Sequence, residues 1–371
     1  MTLTSTLPVW DDRRWPGLPS LHDDVETDVC VIGLGGSGLS CIAELQRLGA
    51  RVVGVDASDV GAGAAGRNGG FLLAGIAAFH HDAAATLGRE RAVHLYRLTL
   101  RELERIAAET PEAVRRVGSL RVATSVEEEA DCARQLATMQ ADGLPAEPYE
   151  GPEGRGLLVP TDGAFNPLLR CRLLAHRALE AGAQLYGCSP AVSVSGTEVR
   201  TPQGRVRCER VVVAVDGRLE VLLPELAGRV RTARLQMLAT APTTEVRVPR
   251  PVYARYGYEY WQQLPDGRVA LGGFRDLGGD EEWTVSTAPS ARVQGALERF
   301  LREHVGVQAP VTHRWAASVG YTPDGAPLLE EVRDGVWAVG GYCGTGNVVG
   351  AMYGRAAAQL VVRGESEVGV G

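Results

Sequence analysis

The amino-acid sequence predicts an α/β plus α+β fold: a parallel-sheet unit together with a region of antiparallel strands. Three observations predict it. A strand, a glycine turn, a helix and a second strand follow one another near the N-terminus. A second strand, glycine turn and helix stand near the C-terminus. Between them, residues 251–275 alternate like antiparallel strands around a Pro265-Asp266-Gly267 turn.

In chain order, Thr27 to Ile32 is an apolar run of strand length, followed by Gly33-Leu34-Gly35-Gly36-Ser37-Gly38. Leu39, Ile42, Leu45 and Leu48 then recur at near-helical spacing up to Gly49, a helix stop, and Arg51 to Val55 is a second strand ending at Asp56. Gly61 to Gly70 is too glycine-rich for regular structure. Amphipathic helices are expected over Ala84–Ala108 and Val126–Asp142. Asn166-Pro167 starts another, as N-cap and first-turn proline, which ends at Gly182. Strands are expected at Ala191–Val194, Val206–Arg207, Val211–Val215, Val252–Trp261 and Arg268–Phe274. A helix should cover Pro289–His304. Strand Val336–Val339, the turn Gly340–Gly346 and a helix over Asn347–Val361 close the chain.

Composition narrows the function. The 371 residues suffice for two domains with a large core and no disulfide or metal staple. The formal net charge of -7 argues against nucleic acid or an anionic membrane as main partner. All 38 basic residues counted as Lys+Arg are Arg, which excludes a Schiff-base lysine, a lysine general base and a Walker-type phosphate lysine. The seven Cys are widely spaced without a C-x-x-C pair, as in reduced cytosolic proteins rather than disulfide or zinc frameworks. The first 25 residues lack an apolar signal core, and no run approaches the ~18 apolar residues of a membrane span. A cytoplasmic protein is expected.

G-x-G-x-x-G between strand and helix has a mechanism. Gly33 permits the tight turn, Gly35 lets the backbone approach a pyrophosphate, and Gly38 lets helix and strand pack closely. The helix N-terminus offers N–H groups and partial positive charge to phosphates. Asp56 stands where an acid would bind ribose hydroxyls. The alternative is a packing turn without ligand. The later glycine stretches favour FAD over NAD: Gly61–Gly70 follows the acid at once, and a helix start at Gly340–Gly346 suits the negative charge that a reduced flavin gains.

These residues resemble the D-amino-acid oxidase/glycine oxidase superfamily of FAD enzymes, most closely its γ-glutamylputrescine oxidoreductase-like branch. The resemblance rests on Asp28–Gly38, on G-A-A-G-R-N-G-G-F (Gly63–Phe71), on D-G-A-F-N-P (Asp162–Pro167), and on Y-T-P-D-G-A-P-L-L (Tyr321–Leu329) with G-G-Y-C-G-T-G-N (Gly340–Asn347). It implies a discontinuous Rossmann-like FAD domain over 20–80, 155–230 and 313–362, and an antiparallel-sheet substrate domain over 81–154 and 231–312. It also implies FAD contacts at Gly33, Gly35, Gly36, Ser37, Gly38, Asp56, Ala57, Ala65, Gly66, Arg67, Asn68, Gly69 and Gly70. Further contacts are implied at Ala191, Val192, Ala214, Gly217, Gly341, Tyr342, Gly344, Thr345, Gly346 and Asn347. Ala317 falls where sarcosine-oxidase relatives carry the cysteine that bonds to flavin, so FAD should be noncovalent. Ala270 and Val348 occupy two of their flavin-adjacent lysine positions.

The implied reaction oxidises a C–N bond of an amine or amino acid. Hydride passes to flavin N5, the imine hydrolyses, and electrons go to O2 or another acceptor. Alternatives are a dehydrogenase that uses a carrier, an NAD-dependent dehydrogenase, and a noncatalytic FAD-binding protein. Such chemistry asks the protein for position and electrostatics rather than a triad. Arg67, Tyr258, Tyr260 and Tyr321 are the candidate catalytic residues. Alternation across Val252–Trp261 would put Tyr256, Tyr258 and Tyr260 on one face, as a cage for an ammonium, with Arg255 and Glu259 opposite. Arg275 and Arg314 are weaker carboxylate candidates. His80 and His81 are expected in a loop and not as metal ligands; no metal is expected. Cys343 is expected as a small packing residue.

Overall fold

The computed structural model describes residues 4–368, which form two compact units. One comprises the chain up to Asp11 with Arg67–Asn166 and Arg234–Ala317; the other comprises Asp12–Gly66, Pro167–Ala233 and the chain from Ser318. The divisions therefore fall at 11/12, 66/67, 166/167, 233/234 and 317/318; the last four stand against 80/81, 154/155, 230/231 and 312/313 drawn from the sequence. The largest difference assigns Arg67–His80 to the unit with the antiparallel strands.

The second of these units is built on a six-stranded sheet in the order Gln184–Tyr186, Val52–Val55, Val29–Ile32, Arg210–Val213, Val336–Gly340, Leu328–Arg333. The first five strands are parallel and the last is antiparallel. Val29–Ile32 and Val52–Val55 are buried throughout, as expected of strands covered on both faces. Helices Gly36–Arg47, Pro167–Glu180 and Val349–Arg363 cover one face through Leu39, Ile42, Leu174, Ala357 and Leu360. Cys30, Val53, Val211 and Val213 face the other way and pack with Val199 and Val206 of a small four-stranded sheet.

An eight-stranded, largely antiparallel sheet belongs mainly to the first unit. Its order is Val311–Tyr321, Arg231–Thr240, Val269–Gly273, Glu259–Gln263, Val252–Ala254, Ser119–Val122, Gly154–Val159, Glu147–Gly151. Leu120, Val252, Trp261 and Leu271 point to one face and bury Val293 and Leu297 of helix Ala291–Phe300, capped by the Ser290 hydroxyl.

The helix expected over 84–108 is two helices, His80–Leu87 and Arg89–Glu109. Gly88 separates them at φ +84°, far from the φ of about -63° that an α-helix needs. His80 and His81 therefore lie on a helix and not in a loop. The strand expected over 252–261 is also broken. Arg255 and Tyr256 take φ +47° and +56° in a tight turn, leaving Val252–Ala254 and Glu259–Gln263 as the arms of a hairpin. No helix of the described residues is long and apolar enough to cross a membrane.

Candidate active site

In the parallel-sheet unit, three glycines of the first turn play distinct parts. Gly33 has φ +105°, and a Cβ there would lie 2.6 Å from the Ala214 carbonyl oxygen. A Cβ on Gly38 would lie 1.9 Å from the Gly33 oxygen, so the turn closes on itself there. Gly35 has ordinary φ -88°, and its Cβ would meet only the Ala65 methyl, at 3.2 Å. A side chain at Gly35 would thus fill space above the turn rather than collide with backbone. Gly35 is also the N-cap of helix Gly36–Arg47, which has no side-chain cap and no acid in its first turn. An anion placed at this helix start would meet uncapped N–H groups and partial positive charge. Arg170 is buried beside it: its Nη1 lies 3.3 Å from where a Gly36 Cβ would stand, and its Nη2 donates to Ser40 Oγ at 3.3 Å. Sequence reading missed Arg170, although it follows the D-G-A-F-N-P motif at helical spacing.

Asp56 ends the second strand. Its Oδ2 accepts from Leu34 N and its Oδ1 from Ser58 N, each at 2.8 Å. Burial pushes its pKa up, against the pull of those two N–H groups. Each oxygen keeps a lone pair for a hydroxyl. Ala57 is exposed next to it, Ala65 and Gly66 form a short 3-10 turn, Ala191 is half-buried and Val192 exposed. A Cβ on Gly217 would stand 2.8 Å from the Ser318 oxygen.

The second turn follows strand Val336–Gly340. Gly341, Cys343 and Gly344 have φ +69°, +51° and +93°. Helix Val349–Arg363 follows, again with no side-chain cap and no acid in its first turn. Asp216, another residue missed from sequence, ties the turn down: its Oδ1 accepts from Tyr342 N and its Oδ2 from Gly320 N, each at 3.1 Å. Burial raises its pKa to about 6, opposed by backbone N–H groups. Ser37 and Tyr342 share a 2.7 Å hydrogen bond between their hydroxyls, joining the two glycine turns. Thr345 Oγ1 donates to the Tyr342 oxygen at 2.8 Å, and Gly346 packs on the Tyr342 ring. The Tyr321 hydroxyl lies 3.8 Å from the Cβ position of Gly344. Cys343 Sγ packs against Thr322 and Gly341. Two uncapped helix starts, a glycine turn open above Gly35, a nearby guanidinium and Asp56 fit FAD: phosphates at the first turn, ribose hydroxyls at Asp56, an electron-rich ring edge at the second.

In the antiparallel-sheet unit, Arg67 Nε donates to the Ala316 oxygen at 2.8 Å and Nη2 to the Thr6 oxygen at 3.3 Å. Burial lowers its pKa. Asn68 Oδ1 accepts from Gly70 N at 2.9 Å, and Asn68 O accepts from Trp10 Nε1 at 2.9 Å. Gly70 has φ +70°, and a Cβ there would sit 2.5 Å from the Phe165 oxygen. Gly69 lies against Tyr260, 3.1 Å from its ring by the same measure.

The ammonium cage is not formed, because the turn at 255–257 breaks the alternation that it required. Tyr260 pairs across the hairpin with Tyr253, not with Tyr256 or Tyr258. The register runs Met237, Gly272, Tyr260, Tyr253, Arg121 across five strands. These side chains share the face opposite helix Ala291–Phe300. Tyr256 lies instead by Phe79 and Arg121, and Tyr258 is flanked by the guanidiniums of Arg255 and Arg275 at 5.1 and 5.9 Å from its ring. Two cations beside Tyr258 disfavour a third. Arg255 and Glu259, expected opposite the tyrosines, pair with each other. Tyr253 is the residue that strand counting missed; the hairpin register would have found it.

The remaining candidates sit in ordinary roles. Arg314 pairs with Glu298 and donates to Gln294 at 3.1 Å. Arg275 lies over Trp283. His80 is hydrogen-bonded to Asp142 at 2.6 Å and His81 to Asp131 at 3.0 Å. No group of three or more metal-ligating side chains occurs among the described residues.

Comparison with known proteins places the chain. The model of the DAO family, FAD dependent oxidoreductase, matches residues 28–360. The chain is 26% identical over 378 residues to the probable oxidoreductase OrdL of Rhizobium meliloti, covering 95% of this chain and 87% of that protein. It is 26% identical over 390 residues to the γ-glutamylputrescine oxidoreductase of Escherichia coli, covering 98% and 90%. Among solved structures, L-proline dehydrogenase from P. horikoshii superposes with a TM-score of 0.76 at 18% identity, covering 95% of this chain and 96% of that one. Glycine oxidase from Geobacillus kaustophilus does so with 0.76 at 19% identity, covering 92% and 96%. The family match takes in both glycine turns and the hairpin between them, and so the chain belongs to the DAO family of FAD-dependent oxidoreductases.

Proposed function

We propose that this chain oxidises a C–N bond of an amine or amino acid with noncovalently held FAD, and that the product imine is released to hydrolysis. The observation that carries the reading is the pair of uncapped helix starts joined through Ser37 and Tyr342. FAD, when bound, supplies the acceptor for the hydride that leaves the substrate carbon. The turn at Gly33–Gly38, with Arg170, would hold the phosphates, and Asp56 the ribose. The start of helix Val349–Arg363 would stabilise developing negative charge by its free N–H groups, a task that no lysine of this chain can share. Tyr253, Tyr260 and Gln262 share one face of their sheet and would orient the substrate. Ala317 offers no sulfur for a covalent flavin link, which supports noncovalent holding. The names of the relatives, γ-glutamylputrescine oxidoreductase and glycine oxidase among them, support the substrate class.

A carrier-using dehydrogenase is the second reading, favoured by one observation: the chain holds no lysine, so no ammonium of that kind can assist the reaction of a reduced flavin with O2. The experiment is a panel of amines and amino acids added to the yellow protein without oxygen, then in air. Bleaching without oxygen supports the reaction. H2O2 release in air separates oxidase from dehydrogenase. A flavin that no compound bleaches contradicts both.

A further inference from the structure

One buried carboxyl of the antiparallel-sheet unit has no cation beside it. Asp162 is fully buried, and its partners are neutral donors: Ala74 N at 2.9 Å on Oδ1 and the Ser119 hydroxyl at 2.7 Å on Oδ2. No Arg or His pairs with it among the described residues. The other buried aspartates of the unit are paired: Asp131 with Arg121 at 2.6 Å, and Asp142 with His80 at 2.6 Å and with Arg89. A carboxyl that is dry and has no counterion resists ionisation, and burial raises the Asp162 pKa to about 7.

Two tyrosines stand near it. Tyr253 is opposite Arg121 in the sheet, and Ser119 comes two residues before Arg121 on the same face. Tyr96 packs in one cluster with Val159, which pairs across the sheet with Ser119. Both tyrosines feel the charge of Asp162. Neither hydroxyl is hydrogen-bonded to a described residue, although a buried tyrosine hydroxyl ordinarily finds a partner. The other ionisable groups facing them are Arg121, held by Asp131, the Cys132 thiol, and His80, which lies edge-on to Tyr96 and is held by Asp142. Tyr253 is partly exposed, on the face that it shares with Tyr260.

An amine is an ammonium at neutral pH, and it must lose an N–H proton before hydride can leave its carbon. No lysine of this chain can serve as the base. We infer that Asp162 accepts this proton by way of the Tyr253 hydroxyl. The inference deepens the reading above and rests on it. The substrate N–H bond breaks and its proton passes to the Tyr253 oxygen. The proton of Tyr253 passes to an Asp162 oxygen, directly or across one water. Tyr253 ends as it began, the substrate becomes a neutral amine and Asp162 a neutral acid; no electrons are exchanged in this step. Each Asp162 oxygen keeps a lone pair for the incoming proton. Two opposite charges in a dry site are thereby replaced by two neutral groups, a change that desolvation favours.

The test follows flavin reduction in the FAD-loaded protein, without oxygen, by an amine or amino acid that bleaches it. Wild type should speed up with pH and level off above about pH 7, as Asp162 ionises. Asp162→Asn should be slowed about 100-fold or more at neutral pH, and should recover towards about pH 10, where the amine sheds its own proton. Tyr253→Phe, which removes no hydrogen bond of the fold, should be slowed in the same way. The double variant should be no slower than Asp162→Asn alone. Independently of turnover, infrared spectra should show a protonated carboxyl that titrates at about pH 7 in wild type and is missing from Asp162→Asn. The inference is overturned if a folded Asp162→Asn or Tyr253→Phe reduces flavin within about twofold of wild type. It is also overturned if either variant is slowed equally at every pH, or if Asp162→Asn leaves the infrared band unchanged. Each of these results leaves the flavin reaction standing. A wild type that no such compound bleaches overturns the reading above, and the proton step with it.

Discussion

Gly35 and Gly38 stand three residues apart and should fail differently. A Cβ on Gly38 meets the Gly33 oxygen at 1.9 Å, so Gly38→Ala must displace backbone and should cost about 1–3 kcal/mol of stability or more. A side chain on Gly35 meets only Ala65, so Gly35→Val should remain soluble and folded while losing the yellow colour. Circular dichroism and flavin absorbance on the two purified variants separate these outcomes. A yellow Gly35→Val would contradict the phosphate role of the first turn. The buried acids give a second residue-level prediction. Asp162 accepts from Ala74 N at 2.9 Å and Ser119 Oγ at 2.7 Å, and burial raises its pKa from 3.8 to about 7. A carboxyl whose folded pKa is raised binds its proton more tightly in the fold. Its stabilisation is full below its unfolded pKa and is lost as pH rises to about 7, on the order of 4 kcal/mol. Asp216, raised to about 6, adds in the same direction. Melting temperatures between pH 4 and 8, a window around these two values, should therefore fall with pH on account of these groups. Asp162→Asn should flatten the fall, because Ser119 can turn its hydroxyl to accept from the new amide. Asp216→Asn should destabilise instead, because both Asp216 oxygens face N–H donors. An unchanged pH slope in Asp162→Asn would refute the assignment.

At the scale of elements, the two glycine-turn helices depend on each other. A Cβ on Gly354 would lie 2.1 Å from the Ser37 oxygen, so helices Gly36–Arg47 and Val349–Arg363 cross with backbone in contact. Gly354→Ala should push them apart, stretch the Ser37–Tyr342 bond and lower FAD retention together with the melting temperature. Intact FAD affinity in a destabilised variant would show that the crossing serves stability alone. The sequence made the elements of the parallel unit legible because each carries its own punctuation: Gly33–Gly38, Gly49 and Pro167 sit at turns, stops and starts. Where punctuation was ambiguous, the reading failed. Gly88 divided one expected helix into two. Arg255 and Tyr256 took the left-handed conformation that side chains disfavour, so nothing in their identities announced a turn. That one turn moved Tyr258 off the face and brought Tyr253 onto it. Arg170 carried a local signal, its place in the first turn of helix Pro167–Glu180, but its neighbours Gly36 and Ser40 are brought to it by long-range packing, as Gly320 and Tyr342 are to Asp216.

Over the whole molecule, the chain without lysine leaves anion stabilisation to arginines and helix starts. Arg67 lies in one unit; Arg170 and both uncapped helices lie in the other. The central claim is that this chain binds FAD and uses it to oxidise an amine or amino acid. The most direct measurement is the absorbance of the purified protein before and after anaerobic addition of such compounds. The account predicts a yellow protein whose flavin band bleaches with at least one of them. A colourless protein, or a bound flavin that none of them reduces, would contradict it.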